Sequence, residues 1–468
     1  MTTKATAESA PPVSPTLAAE LREAVTSGRT RSVAWRRAQL DGIVRMLTQN
    51  LTLWERALAA DLGKSADETH VSEVALVLDE ARHARARVAG WMRARPVAAP
   101  LAVQPAWAHV RSEPLGVALV IAPWNYPLQL QLAPVVGALA AGDAVVMKPS
   151  ELAPATAALL ADLVPAYLDA RAVRVVTGDA GVASALLEQR WDHIFYTGGE
   201  RVARIVGAAA AQHLTPTVLE LGGACPVWVD RSADLPVAAR RIVWAKLMNA
   251  GQTCIAPNHV FVDAAVRDAL VTELRAALAE QHPDPRTSPS YSRMVSQAHL
   301  DRVVERIGDG TAIVGGDVDR DARYVAPTFL ADVAVDAPAV TEETFGPILP
   351  IVPLTDVDAF VALQRDRPKP LALYAFAGDR SVLDRIERET SSGAFGRNVA
   401  LAHIMVRGLP FGGVGASGHG AYHGRRSFDL FSHAKAVLAK PTRPDTLALV
   451  IPPITERKRA VIRRLLLR

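Results

Sequence analysis

The chain has 468 residues, of which 50% are hydrophobic and 21% are charged, so it is a folded globular protein and not a disordered chain. The formal net charge of +4 is small and the basic residues are dispersed among acidic ones, which excludes a nucleic-acid footprint. With two cysteines there is no disulfide framework, and we expect a reducing, cytoplasmic location in a bacterial cell.

The first part of the chain changes character near residue 16. Residues 1–15 are small and polar with several prolines, and we expect a flexible arm there. From residue 16 to residue 91 the apolar residues recur at helical spacing, which predicts several helices. No stretch of the sequence reaches the roughly 20 apolar residues of a membrane-spanning helix.

Short apolar runs then alternate with helical segments, which predicts crossover units and a parallel, doubly wound sheet. The predicted strands lie at 117–122, 144–147, 173–176 and 193–196. The alternation resumes after residue 223, so a second α/β domain is expected. Two amphipathic β segments, 101–111 and 428–438, fit neither domain and are expected to pair in a small subdomain of their own.

Cys254 is the strongest candidate for chemistry. It lies in the run Met-Asn-Ala-Gly-Gln-Thr-Cys-Ile-Ala-Pro, where small, polar and proline residues indicate a loop. A thiol presented on a loop is a candidate nucleophile, because the thiolate of cysteine is reactive. The other cysteine, Cys225, is more typical of a small buried residue.

Glu220 is a candidate base, because it stands inside an apolar run that ends in Gly222 and Gly223. Burial there would raise the pKa of the carboxyl and make it a better base near neutral pH. The alternative is a structural glutamate that pairs with an arginine at a strand end.

Polar residues also follow two predicted strands, at the sheet edge where open α/β sheets bind ligands. Asn125, between Pro123 and Pro127, is a possible amide donor to an oxyanion; a rigid turn capped by the asparagine is the stronger alternative. Lys148 and Glu151 are candidates for holding the hydroxyls of a nucleotide ribose, with an exposed turn as the alternative.

Gly198 and Gly199 stand between a predicted strand and a predicted helix, where a glycine turn lets phosphate approach free N–H groups. Residues 413–418 match the spacing G-x-G-x-x-G, but no β-branched strand precedes them and no acidic residue follows at about 20 positions. We interpret that segment as a glycine-rich loop near the mouth of an active site.

Taken in order, these motifs resemble the aldehyde dehydrogenase superfamily from about Val33 to the C-terminus. The runs 343–347 (Glu-Thr-Phe-Gly-Pro) and 409–413 (Leu-Pro-Phe-Gly-Gly) complete the ordered set. The segments 123–127, 213–216 and 421–433 resemble the class 3 branch in particular. That resemblance implies a homodimer, NAD or NADP as the cofactor, and oxidation of aromatic or medium- to long-chain aliphatic aldehydes.

The resemblance also implies two doubly wound α/β domains, a Rossmann-like cofactor domain and a catalytic domain, with a small β subdomain for bridging and oligomerisation. We place the cofactor domain at 16–100 and 117–222, the catalytic domain at 223–420 and the β subdomain at 101–116 and 421–440. Residues 441–468 form a basic tail. Its end is a candidate amphipathic helix in weak peripheral contact with a membrane surface; a helix packed on the body or a solvated tail are the alternatives.

A role for each candidate follows from the resemblance. Cys254 would add to the aldehyde carbonyl, Asn125 would hold the oxyanion, and Glu220 would activate the water that hydrolyses the thioester. Cofactor contacts are implied for Trp124, Lys148, Glu151, Gly198, Gly199, Glu343 and Phe345. The aldehyde pocket is implied at Tyr126, Trp244, Met248, Thr253 and Phe411, where plain core packing is the alternative. No metal site is predicted.

Four residues depart from the family's pattern: Gly199, Glu200, Ala203 and Ala224. Glu200 is electrostatically unfavourable beside a pyrophosphate unless it points away or pairs with Arg201 or Arg204. The departures leave the choice between NAD and NADP open.

Two other functions compete with a hydrolysing dehydrogenase. One is an acylating enzyme that passes the thioester to a thiol carrier such as CoA, and the water-activating Glu220 argues against it. The other is a catalytically silent member of the family, against which the retention of Cys254, Glu220 and Asn125 argues.

Overall fold

The computed structural model describes residues 13–466 and begins with the helical region that the sequence predicts. Its first helices are Leu17–Thr26, Val33–Gln49, Leu51–Leu62, Ala66–Thr69 and Ala75–Trp91. A π-helical turn, His70–Val74, joins the last two helices. The Ser65 hydroxyl caps the helix that leads into this turn by accepting from the backbone N–H of Glu68. The arm expected over 1–15 falls largely outside the described residues.

The first α/β sheet has six strands and is parallel except for a short strand at one edge. In spatial order its strands are Gly418–His419, Thr217–Glu220, His193–Thr197, Val117–Ile121, Ala144–Lys148 and Val173–Val175. The helices between them in the chain are Gln129–Ala141, Pro154–Tyr167, Ala180–Leu187 and Glu200–Gln212. The central strands are buried along their whole length, which is why they stand out as apolar runs in the sequence.

The second sheet has seven strands, parallel except at the Thr311–Val314 edge. In spatial order its strands are Thr311–Val314, Thr328–Ala331, Ile348–Leu354, His259–Asp263, Pro226–Val229, Ala372–Phe376 and Ala394–Arg397. Its helices include Leu235–Leu247, Arg267–Gln281, Gln297–Glu305, Pro338–Thr341, Val357–Asp366 and Arg380–Glu389. The predicted fold class, with two doubly wound α/β sheets, is confirmed; the domain limits stay a prediction.

A third sheet joins the strands Arg95–Val97, Trp107–Pro114 and Ser432–Ala439. The last two run antiparallel over eight paired residues, so the two segments expected to pair do so. The strands expected over 101–111 and 428–438 were wrong at their starts, because Leu101–Val103 is a 3-10 turn and Arg425–Leu430 is a helix. Phe428 on that helix packs against Trp91, with ring centroids 5.5 Å apart, and this tertiary contact favours the helical conformation.

The C-terminal segment ends in the helix Glu456–Leu466, as expected for the basic tail. This helix contacts the 3-10 turns Leu101–Val103 and Thr446–Leu449. Its Lys458 Nζ donates to the carbonyl oxygen of Ile451 at 2.9 Å. Within residues 13–466, no helix combines the length and the apolar character needed to cross a membrane.

Candidate active site

Cys254 lies where two cavities meet. The first has a volume of about 300 Å³ and carries polar and charged side chains, among them Asn125, Glu220 and Glu343. The second is a narrow space of about 40 Å³ with mostly apolar walls. Cys254 and Leu130 line both. The Cys254 thiol is therefore accessible to a polar ligand on one side and to an apolar ligand on the other.

The backbone ahead of Cys254 is held in an uncommon conformation. Asn249 and Ala250 have φ angles of 52° and 50°, in the left-handed region that side chains disfavour. Hydrogen bonds compensate: Glu68 Oε1 accepts from the N–H of Asn249 at 2.6 Å, and Gln252 Nε2 donates to the carbonyl of Asn249 at 3.0 Å. Such backbone outliers persist where the surroundings over-determine them, and they cluster at active sites.

Asn125 follows the strand Val117–Ile121 and is buried at the edge of the polar cavity. Its Nδ2 donates to the carbonyl of Gln252 at 3.0 Å, which ties the amide to the Cys254 loop. An amide nitrogen carries two hydrogens, so the second remains for a ligand. The structure thus brings Asn125 and Cys254 to one cavity, as the sequence predicts.

Glu220 is the last residue of the strand Thr217–Glu220 and is 2% exposed. Neither carboxylate oxygen has a hydrogen-bond partner within the described part of the chain, so the alternative of an arginine pair is wrong. Burial raises the pKa of this carboxyl well above its ordinary value. A buried, unpartnered carboxyl beside a thiol in one cavity is placed to exchange a proton there.

The glycine-rich segment 413–418 supports Glu220 and does not open a dinucleotide-binding helix. Gly418 pairs with Glu220 across an antiparallel bridge, and the N–H of Leu221 donates to the carbonyl of Ser417 at 3.2 Å. A Cβ on Gly418 would lie 2.0 Å from the carbonyl oxygen of Leu219. The glycine is therefore required by the close approach of the two chains beside the base.

Five of the seven residues expected to contact the cofactor line the polar cavity: Trp124, Gly198, Gly199, Glu343 and Phe345. Lys148 and Glu151 do not line it. Lys148 is the last residue of the neighbouring strand Ala144–Lys148, and Glu151 follows it. The two form an ion pair with each other at 2.9 Å, with Lys148 buried and Glu151 exposed. The structure therefore places this pair at the same edge of the sheet but outside the cavity wall.

The beginning of the helix Glu200–Gln212 fits a phosphate. Its N-cap residue, Gly199, supplies no side-chain hydrogen bond, and a Cβ on that glycine would meet open space. The first N–H groups of the helix are thus accessible beside the cavity. Glu200 does not obstruct it, because its side chain is exposed and pairs with Arg204. This helix end is open to an anion, and the contact of Gly198 and Gly199 with a pyrophosphate stays a prediction.

Glu343 is exposed as a residue, and its carboxyl lies against the glycine pair that follows Glu220. Desolvation of this carboxyl raises its pKa to about 8, although the N–H of Gly223 donates to it. Burial likewise lowers the pKa of the neighbouring Lys246 to about 7. A Cβ on Gly222 would lie 2.1 Å from Glu343 Oε2, so Gly222 is what allows this carboxyl to enter the cavity.

The sequence missed several residues of the polar cavity. The hydroxyl of Thr197 is buried without a partner in the described chain, and the ring of His299 packs edge-on against Trp124 with centroids 4.7 Å apart. Arg302 and Arg306 also line this cavity. Their spacing of four positions on one helical face was the only signal available.

Residues 13–466 contain no group of three or more His, Cys, Asp or Glu side chains that could hold a metal ion.

All five residues expected in the aldehyde pocket line the apolar cavity: Tyr126, Trp244, Met248, Thr253 and Phe411. The hydroxyls of Tyr126 and Thr253 share a hydrogen bond of 2.6 Å, so each has a partner within the protein. Further apolar residues that the sequence did not single out complete the wall: Val71, Leu76, Leu401, Ile404 and Met405. This cavity suits an apolar ligand.

Cys225 is fully buried and contributes no reactive thiol. Burial raises the pKa of this thiol to about 12. Its Sγ accepts from the N–H of Ala372 at 3.3 Å. Burial also raises the pKa of the Cys254 thiol, and the negative charges of the neighbouring Glu343 and Glu220 raise it further. Cys254 therefore requires a base to become a thiolate.

A polar cavity at the carboxyl ends of a doubly wound sheet, with a thiol in the wall that it shares with an apolar cavity, is typical of an oxidoreductase that binds a nucleotide. Residues 13–437 match the model of the aldehyde dehydrogenase family. The chain therefore belongs to the aldehyde dehydrogenase family, and the expected class of enzyme is confirmed.

Relatives and solved structures agree with this assignment. The chain is 45% identical to aldehyde dehydrogenase family 3 member B1 of Rattus norvegicus, over 95% of each chain. It is 44% identical to the dimeric, NADP-preferring aldehyde dehydrogenase of the same organism, over 90% of this chain and 93% of the relative. The substrate-bound structure of Staphylococcus aureus AldH superimposes with a TM-score of 0.92 at 36% identity, covering 95% and 97% of the two chains. The resemblance to the class 3 branch is confirmed.

Proposed function

We propose that this enzyme oxidises hydrophobic aldehydes, aromatic or medium- to long-chain aliphatic, to carboxylic acids with NAD or NADP. The observation that carries the proposal is the position of Cys254 in the wall of both cavities. An aldehyde whose apolar part occupies the narrow cavity presents its carbonyl to the thiol, and the polar cavity on the other side accommodates the nucleotide.

The residues of the chain divide the reaction between them. The Cys254 thiolate adds to the carbonyl carbon, and the N–H groups of Asn125 Nδ2 and of the Cys254 backbone hold the oxyanion of the thiohemiacetal. The hydride would pass from the C–H bond of the former carbonyl carbon to a nicotinamide bound in the polar cavity; as the C=O bond reforms, a thioester would remain on Cys254. Glu220 then takes a proton from water as the water attacks the thioester, and the acid and the Cys254 thiol are released.

The nucleotide is proposed to lie along Gly198 and Gly199, between the aromatic rings of Trp124 and Phe345 and the carboxyl of Glu343. The rings of Trp124 and Phe345 meet edge to face with centroids 5.4 Å apart. Lys148 and Glu151 stay candidates for the ribose hydroxyls at the next strand. One relative is NADP-preferring by name, and we propose that this enzyme accepts both nucleotides.

The test is a measurement of kcat/KM over aromatic and aliphatic aldehydes with both nucleotides. We expect kcat/KM to rise with chain length. A short hydrophilic aldehyde that outperforms every apolar one would contradict the proposed pocket. If no aldehyde leads to reduced nucleotide, the chain is a catalytically silent member of the family. If acyl transfer to CoA persists in Glu220→Gln, the acylating alternative is correct.

We further propose a homodimer that forms through the three-stranded sheet. This sheet exposes the apolar side chains Val97, Trp107 and Leu438, the turn between its first two strands exposes Leu101, and the rat relative is dimeric by name. Large exposed apolar side chains in one region favour a protein contact. Trp107→Glu should produce a monomer in analytical ultracentrifugation, whereas Leu214→Glu, an exposed residue elsewhere, should leave the dimer intact.

For the location we propose the cytoplasm, with weak contact between the C-terminal helix and anionic membrane surfaces. Arg457, Arg463 and Arg464 are exposed on this helix, and Val450 and Ile451 are exposed ahead of it. Cosedimentation with vesicles should require an anionic lipid and weaken as salt rises. Binding that is unchanged in an Arg463→Glu, Arg464→Glu variant would contradict this proposal.

A further inference from the structure

Behind Asn125 lies a buried ion pair between Lys64 and Glu73. Lys64 Nζ is 2.5 Å from Glu73 Oε1, and both side chains are completely buried. Glu73 belongs to the π-helical turn His70–Val74, an irregularity that is frequent at functional sites. A buried ion pair contributes little net stability, because desolvation offsets the attraction of the charges. The role of this pair therefore lies in the backbone groups that Lys64 and Glu73 contact.

Lys64 holds the peptide of Asn125. Its Nζ donates to the backbone carbonyl of Asn125 at 2.9 Å and lies 3.9 Å from the ring centroid of Tyr126. The same carbonyl accepts from Asn249 Nδ2 at 2.8 Å. Asn249 belongs to the strained backbone ahead of Cys254, so the carbonyl of Asn125 joins the N-terminal helices to the nucleophile loop.

Glu73 holds the other end of the same turn. Its Oε2 accepts from the backbone N–H groups of Leu128 at 3.1 Å and of Gln129 at 2.8 Å. These are N–H groups at the beginning of the helix Gln129–Ala141, which have no intrahelical acceptor. One ion pair therefore fixes both ends of the turn 125–129.

We propose that Lys64 and Glu73 are positioning residues, which keep the Asn125 amide in register with the Cys254 thiol. This inference rests on the proposed role of Asn125 as the oxyanion donor. The side-chain amide of Asn125 has one hydrogen bond to the Cys254 loop, through Gln252, and its direction depends on where the backbone at 125 lies. Lys64 and Glu73 line neither cavity, so they act through Asn125.

The experiment compares Lys64→Met, Glu73→Gln, the double variant and Asn125→Ala for kcat, KM and Tm. Lys64→Met leaves Glu73 unpaired, so Tm should fall, and kcat should fall by about 10- to 100-fold because small displacements of catalytic groups are this costly. The double variant removes both charges and should recover Tm. Its kcat should stay low, because the Asn125 carbonyl still lacks the hydrogen bond from Lys64 and keeps only the one from Asn249. KM for the nucleotide should change little in all of them.

A double-mutant cycle separates positioning from general destabilisation. In an Asn125→Ala background, Lys64→Met should have no further effect on kcat, because both changes remove the same interaction with the oxyanion. Asp143→Asn is the matched control: this carboxyl is also fully buried and accepts from the N–H of Gly116, but it precedes its strand and lies away from the cavities. It should lower Tm and leave kcat unchanged.

Two results would overturn the inference alone. One is a kcat that recovers together with Tm in the Lys64→Met, Glu73→Gln variant, and the other is an unchanged kcat in Lys64→Met beside a lowered kcat in Asn125→Ala. An unchanged kcat in Asn125→Ala would instead overturn the oxyanion role in the proposed function, and the inference with it.

Discussion

The thiol of Cys225 donates a hydrogen bond to the backbone carbonyl oxygen of Cys254 at 3.3 Å. The two cysteines of the chain therefore have separate tasks. Cys225 is enclosed in the core and its S–H contacts the peptide of the nucleophile, whereas the side chain of Cys254 lines both cavities. A thiol is a weak donor, so this contact adds to the packing of the loop more than to its hydrogen bonding.

Cys254→Ala is expected to lower kcat by at least about 10³-fold, as for the loss of other covalent nucleophiles. Cys225→Ala should retain kcat within about tenfold, because only packing and a weak hydrogen bond are lost. Steady-state rates measure both. Intact-mass analysis after iodoacetamide should show one label in the native enzyme and none in Cys254→Ala; a label on Cys225 would contradict the assignment.

Glu220→Gln should slow thioester hydrolysis by about 10²- to 10⁴-fold, the usual contribution of a general base. One equivalent of reduced nucleotide should still form rapidly, and the acylated enzyme should accumulate, visible as the mass of the acyl group on Cys254. Glu200→Gln is the control, since this exposed side chain pairs with Arg204 and should not affect hydrolysis. Steady turnover without an adduct in Glu220→Gln would contradict the role.

Glu343 is expected to make stability fall as the pH rises. Its pKa in the folded protein is about 8, above the ordinary carboxyl value, so the folded chain keeps a proton that the unfolded chain has released. The unfolded state binds fewer protons in this window, so the free energy of unfolding declines as the pH rises, with a slope reduced by the exposure of Glu343 to solvent. This decline in stability is expected between pH 5 and pH 7. Above that range the neighbouring Lys246, whose pKa is about 7, also titrates and has the opposite effect on stability.

The measurement is the free energy of unfolding from urea titrations at several pH values between 5 and 7. Glu343→Gln, which cannot ionise, should have a flatter profile than the unmodified enzyme. Identical profiles would show that this carboxyl does not take up a proton on folding. The exposed Glu342→Gln serves as the control and should keep the original slope.

Met248→Ala should lower kcat/KM for long aliphatic aldehydes by about tenfold, because it removes apolar contact in the narrow cavity. Propanal, which is too short to reach this wall, should be affected far less. Leu447→Ala, an apolar residue outside both cavities, should change neither. An equal loss of kcat/KM for short and long aldehydes would contradict the proposed orientation of the substrate, with its apolar chain in the narrow cavity.

The parallel strands could be predicted because they are buried on both faces and form unbroken apolar runs, as in Val117–Ile121. Cys254, Glu220 and Asn125 could be predicted to share a site from the order of motifs and from the rule that sheets bind ligands at their carboxyl ends. The helix Arg425–Leu430 could not, because its conformation depends on the contact of Phe428 with Trp91.

The contacts that hold the site residues in place could not be predicted from the sequence either. Lys64 and Asn125 lie 61 positions apart, and no local pattern around Lys64 indicates a buried charge. Lys148 and Glu151 were predicted together with the cavity residues because they follow a strand, but spacing along the chain does not tell how far each strand end lies from the ligand. Tertiary contacts of this kind require the structure.

The two cavities share only Cys254 and Leu130 among their lining residues. Preference for an aldehyde and preference for a nucleotide are therefore encoded by nearly separate sets of side chains. Selection in nature, or directed evolution in the laboratory, can alter one preference by changing one wall and leave the other untouched. Cys254 and Leu130 are the two positions at which a change would affect both preferences.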